Sequence, residues 1–261
     1  MRLMRGLTAA AALALLAPAV SSGARAAVLD RVGVYTNAWR QSLTGTARID
    51  GEVQGDSFSL PGDVGLDGEK TVGELGAWFH PFGRHRFRVS GFSASLNGSR
   101  ILPRPVRIGD LGVVPQDTPV DSSLDLKFYK AHYSYSIVNR DLVNVAVLVG
   151  ADILDGKGEI TALDAVAIAS LRGTVPVIGA SVQVSPLGFL RLYGEATGAS
   201  WKIGRLRADL RDTLVRAEVY TGHFFGVGAG YRKLSLEVDK DGEGKIDAST
   251  DGYQAYLLLR F

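Results

Sequence analysis

The chain contains no cysteine. Disulfides, thiolate metal centres and cysteine nucleophiles are therefore excluded, and an exported form must be stabilised in other ways. Beyond residue 26 there is no apolar run of 18 residues, so no helix of bilayer-spanning length is encoded there. Helical periodicity is scarce as well; only TALDAVAIASLR at 161–172 suggests a short loop helix. The loops hold neither a P-loop nor a dinucleotide-binding glycine fingerprint, and no cofactor is expected.

The first 26 residues read MRLMRGLTAAAALALLAPAVSSGARA. Arg2 and Arg5 precede a short apolar stretch, and Ala24-Arg25-Ala26 forms a small-x-small cleavage pattern, the form of a secretory signal peptide. A mature domain would then run from 27 to 261. Its removal takes Arg2, Arg5 and Arg25 with it, lowering Lys plus Arg from 29 to 26 against 27 Asp plus Glu. The basic balance belongs to the leader, and nothing points to a nucleic-acid partner.

The remaining chain alternates. In LVNVAVLVGADIL, Val143, Val145, Val147, Val149 and Ile153 fall on one face, while Asn144 and Asp152 fall on the other. The same period predicts ten strands near 32–50, 71–80, 85–99, 121–137, 142–157, 174–185, 189–202, 211–222, 225–238 and 250–261. The connections PFGR, VNRD, PLG and HF are tight turns. Those at 51–70, 100–120, 158–173, 203–210 and 239–249 read as long, so long and short alternate. An even number of strands joined this way predicts an all-β, closed antiparallel up-and-down transmembrane β-barrel. Ten strands become eight or twelve if 32–50 or 158–173 is assigned differently. Closure leaves no unpaired edge in hydrocarbon, so a monomer in outer-membrane lipid is expected. Tyr129, Tyr133, Tyr135, Tyr253 and Phe225 are placed to form interfacial aromatic girdles.

The chain ends GYQAYLLLRF. Tyr253, Ala255, Leu257, Leu259 and Phe261 share one face of the last strand. Gln254, Leu259 and Phe261 resemble the C-terminal signal of bacterial outer-membrane β-barrel proteins, with Tyr256 where the family pattern has glycine. The resemblance implies export to the outer membrane of a Gram-negative cell and recognition by the barrel-assembly machinery.

Charges on the lipid face would be costly, so the opposite face must hold them. Arg86, Arg88, Lys130, Arg191, Arg216, Arg232 and Arg260 are the expected inward positives, and Glu74, Asp152, Glu195 and Glu218 the negatives. Ten strands enclose a backbone radius of roughly 11 Å. Side chains of this size would fill most of it as a salt-bridged plug. Seven positives against four negatives leave a narrow, anion-biased pore as the alternative. Gly226, Gly228 and Gly230 either open space or accommodate large facing side chains such as Tyr220. Leu124, Leu126 and Phe128 change parity relative to Tyr129, as Leu234 does relative to Tyr231; a bulge or a strand rising past the membrane would explain both.

Three stretches invite a chemical reading. DKDGEGKIDAST places Asp239, Asp241, Glu243 and Asp247 at EF-hand positions, but Thr250 stands where the bidentate glutamate belongs, so no metal is expected. His132 and Ser134 share a strand face and are similar to the His-x-Ser pair of outer-membrane lipid A deacylases. That family's following Asn is Tyr135 here and its pair faces lipid, whereas this one is placed inward; a polar interior pair is the expected role. Omptin-type proteases are ten-stranded barrels with Asp and His at the outer rim; here His80, His85 and His223 lie beside the short turns. The expectation is a non-enzymatic barrel with a charge-networked interior, with a narrow pore and an outer-membrane hydrolase as the alternatives.

Overall fold

A computed structural model describes residues 31–261 apart from Asp164 and His223. The leader at 1–26 lies outside the described residues. Ten long strands follow one another: β1 Val32–Ile49, β2 Glu69–Phe79, β3 His85–Ile101, β4 Pro119–Asn139, β5 Val143–Ala162, β6 Ala165–Leu187, β7 Leu190–Ile203, β8 Leu206–Thr221, β9 Phe225–Lys240 and β10 Gly244–Arg260. Each pairs antiparallel with the next. β10 returns to β1 from Gly33↔Arg260 to Ile49↔Gly244, which closes the barrel and pairs both edges.

Apolar side chains cover the outer wall. Leu75, Phe79, Val89, Val149, Ile178, Val215 and Leu257 are all exposed, as a lipid-facing band requires. In β5 the band runs from Val143 to Ile153. At the usual rise and tilt such a stretch spans about 25 Å, the height of an outer-membrane hydrocarbon belt. Above it, outward positions become charged: Lys127, Lys157, Arg172, Arg211 and Lys233. Pairs here are solvated. Glu159 raises Lys157, and Glu237 raises Lys245, by a side-chain hydrogen bond to the ammonium, but exposed pairs of this kind add little stability.

The strands stand taller than the alternation indicated. The segment 158–173 is not a long loop, and 161–172 is not a helix: β5 continues to Ala162 and β6 begins at Ala165. Val166, Ile168, Ser170 and Arg172 point out, while Ala167, Ala169 and Leu171 are half-buried on the inner side. Likewise 203–210 and 239–249 are strand ends around tight turns, with Gly204 at φ 60° and Gly242 at φ 82°, values that suit glycine. Above the hydrocarbon the outer face no longer needs to be apolar, so a strand there loses its contrast and reads as a loop.

The two extended connections, 50–68 and 102–118, fold together as a cap. Phe58, Val64, Leu102, Val106, Ile108 and Val114 are at most 1% exposed, packed with Leu43, Leu96, Val120 and Ile160 of the wall. Asp56 N donates to Arg107 O at 3.0 Å, and Arg107 N returns a bond to Asp56 Oδ2 at 2.8 Å.

Of the two explanations for the apolar parity change in β4 and β9, the bulge is absent at Phe128 and Leu234, and the strands run on past the apolar band in unbroken register. Even-numbered residues face inward throughout, from Val120 through Phe128 to His132, and from Arg232 through Leu234 to Val238. The β4 irregularity lies instead between Ser136 and Val138, beside the short turn. The interior itself changes character, from polar to apolar. Of the two readings of Gly226, accommodation of a large neighbour holds: a Cβ there would stand 2.8 Å from the Tyr220 ring. Gly226→Val is therefore expected to cost about 1–3 kcal/mol through forced displacement of that ring. The check is the temperature at which the folded band converts to the unfolded one on unheated-versus-heated gels.

Candidate functional site

Three layers are stacked inside the barrel. Nearest the short turns is a polar chamber of about 170 Å³, reached past Asn139, Arg140 and Asp141 and lined deeper by Arg86, Ser134, Asn144, Gln183 and Arg191. Asn144 Nδ2 donates to Ser136 Oγ at 2.9 Å and to Asn139 Oδ1 at 3.0 Å, bracing one wall.

The second layer is ionic. Arg232 Nε and Nη2 donate to Asp212 Oδ1 and Oδ2 at 3.0 and 2.7 Å, and Nη1 donates to Glu74 Oε2 at 2.9 Å. Lys130 Nζ also donates to Asp212. Asn37 Nδ2 donates to Glu74 at 3.0 Å. Alongside, Arg88 donates to Glu195, to Tyr193 Oη at 3.1 Å and to His132 Nδ1 at 3.2 Å. Toward the chamber, Arg216 pairs with Glu218 at 2.5 Å, while Tyr220 Oη donates to Glu218 and accepts from Arg191 at 3.1 Å. The Arg232 guanidinium also lies 4.8 Å from the Trp39 ring centre. A space of only about 20 Å³ remains among these groups.

The third layer is apolar. Trp39 and Phe128 are fully buried, with Phe92, Leu154, Val175, Val177, Leu210 and Leu234 at 2–5% exposure, and the cap closes above them. The expected polar plug thus occupies only the lower part of the interior.

All eleven charged residues expected inside do point inward. Glu74, Arg88, Lys130, Asp152, Glu195, Arg216, Glu218 and Arg232 are buried; Arg86, Arg191 and Arg260 are half-buried. Arg260 covers the Tyr220 ring at 3.8 Å. Sequence reasoning overlooked Asp212, although its parity with Arg216 and Glu218 places it inward. It also overlooked the inward Trp39 and Phe92.

His132 cannot serve Ser134. A guanidinium only donates, so His132 Nδ1 accepts from Arg88 and Nε2 carries the proton to Asp152 Oδ1 at 2.7 Å. Both ring nitrogens are engaged. The calcium reading also fails: Asp239 and Asp247 lie in different strands, Asp247 opposite Glu237, and no metal-holding cluster of acids or histidines occurs among the described residues. At the C-terminus, Leu259 and Phe261 are exposed on the outer face, whereas Gln254 is buried and accepts a hydrogen bond from Tyr256.

No protein-family model matches the chain, and no curated protein matches its sequence. Solved structures do match its shape. The outer-membrane protease OmpT of Escherichia coli aligns over 89% of this chain and 97% of its own, with a TM-score of 0.55 and 11% identity. The fold is that of a bacterial outer-membrane β-barrel. The translocator domain of autotransporter NalP from Neisseria meningitidis aligns over 89% of each chain, at TM-score 0.45 and 12% identity. The attachment invasion locus protein Ail of Yersinia pestis aligns over 87% of this chain and 99% of its own, at TM-score 0.35 and 13% identity. At these identities the likeness concerns the fold alone.

Proposed function

We propose that this chain is a non-conducting outer-membrane β-barrel of a Gram-negative cell. In this reading it is non-enzymatic and presents a rigid cap to the outside as its binding element. The observation that carries the reading is the sealed interior: an ionic layer, then fully buried Trp39 and Phe128, then the cap core around Val106 and Ile108. An ion entering from the chamber would have to shed its water against side chains already paired with one another, and then cross an apolar layer, both of which are costly.

The placement of histidine supports a non-catalytic role. The four histidines, at 80, 85, 132 and 223, all lie outside the cap segments, and His132 is committed to its two partners. A cap with its own buried core is preorganised, so a partner would meet surface that is already ordered. Export by the leader, recognition of Leu259 and Phe261 by the assembly machinery, lipid around the apolar band and a monomeric state complete the reading.

The test is planar-bilayer recording of the refolded mature chain, verified as heat-modifiable. Silence across a wide voltage range at neutral pH is expected. Reproducible unitary steps, with an anion preference, would replace this reading with a narrow pore.

A further inference from the structure

Arg86 has no carboxylate in direct contact among the described residues. Its side chain lies in the chamber wall, with Cζ 5.3 Å from the Trp78 ring centre. Its Nε is buried with no protein acceptor, and no ion pair involving Arg86 occurs among the described residues. The guanidiniums of Arg88, Arg216 and Arg191 repel it, and the carboxylate within electrostatic range, Glu218, is shared with them. The nearby carboxylates are committed: Glu195 to Arg88 and Tyr193, and Glu218 to Arg216 and Tyr220. Asp141, also in the lining, is exposed at the mouth.

A guanidinium stays protonated in proteins, so this charge cannot be relieved by losing its proton. Half-buried in the chamber wall, with its Nε cut off from water, it would gain from an anion that enters the chamber. The wall also carries neutral donors, Ser134 opposite Arg86 in the β3–β4 register and Gln183 further round the lining. A space of about 170 Å³ matches a small solute, since one liquid water takes about 30 Å³. We infer that the chamber binds a small soluble oxyanion of phosphate or carboxylate type, with Arg86 as its ion-pairing group. The planar fork of arginine suits both. Only the side of entry, the periplasm, rests on the outer-membrane reading; binding itself does not depend on whether the barrel conducts.

The test is thermal unfolding of the refolded mature chain in detergent, with sodium phosphate or sodium succinate replacing sodium chloride at constant ionic strength. The wild-type midpoint is expected to rise saturably with at least one of the two anions. Arg86→Met is expected to reduce that rise at least fivefold. No rise in the wild type overturns the inference, and so does an equal rise in Arg86→Met. If Arg86→Met does not fold, Ser134→Leu fills the chamber while retaining the arginine; the same loss is then expected, and an unaltered rise overturns the inference. Failure here leaves the bilayer result untouched, so the two readings fall separately.

Discussion

Arg232→Met is expected to lower the unfolding free energy of the refolded barrel by about 3–5 kcal/mol. The substitution keeps apolar bulk against Trp39 but removes the group that holds both Asp212 and Glu74, each at least 94% buried. Lys130 then stands alone against two carboxylates that water cannot reach. Most of the cost is the penalty of stranding those charges, which gives the prediction its second half. Removing Asp212 as well, in Arg232→Met with Asp212→Leu, leaves Lys130 and Glu74 as one positive and one negative charge. The double variant should be less destabilised than the two single changes combined, by about 1–3 kcal/mol. Denaturant titration followed by tryptophan fluorescence measures both quantities, because Trp39 reports on this layer directly. A loss under about 1 kcal/mol for the single variant, or strict additivity, would mean that water screens the layer and that it is not sealed.

Phe58→Ala is expected to release the cap and leave the barrel standing. Phe58 is 1% exposed and sits among Val64, Leu66 and Leu102, so its truncation should cost about 3–5 kcal/mol, drawn from the cap's own stability. Arg104 and Arg107 supply the readout. Arg104 Nη2 donates to Ser57 O at 2.7 Å and to Asp63 Oδ2 at 3.1 Å, and Arg107 is bonded through its backbone to Asp56. Trypsin needs both segments opened before it can cut there. Where cleavage tracks the open population, a loss of about 3 kcal/mol raises the rate roughly a hundredfold. The heat-modifiable gel shift should persist, since β1 and β10 remain paired. Equal cleavage of variant and wild type would show that the cap does not depend on Phe58.

What the sequence revealed follows the membrane boundary. Within the hydrocarbon, one face of every strand must be apolar, and Val143 to Ile153 or Tyr253 to Phe261 read plainly as period two. Above it that demand ends, so Val166 and Ile168 on the outer face of β6 looked like a helix. The apparent parity change at Phe128 has the same origin. Apolar side chains were assumed to face lipid, but above the ionic layer they fill the interior. The inward charges were legible because lipid excludes them, whereas their pairing was not. Glu74 and Arg232 are 158 residues apart, and only the curvature of the closed sheet brings them together. Asp212 carried the right parity and was passed over, although it binds both Arg232 and Lys130.

The ionic layer also bears on the mechanics of the wall. A ten-stranded tube supported only around its circumference can flatten into an ellipse under lateral pressure, because bending between neighbouring strands breaks no hydrogen bond. Here Arg232 of β9 reaches Glu74 of β2, Lys130 of β4 reaches Asp212 of β8, and Arg88 of β3 reaches Glu195 of β7. These contacts work as spokes. Any ovalisation lengthens some of them and compresses others, so the cross-section resists deformation as a braced wheel does, and the circular outline becomes a property of the interior as much as of the sheet.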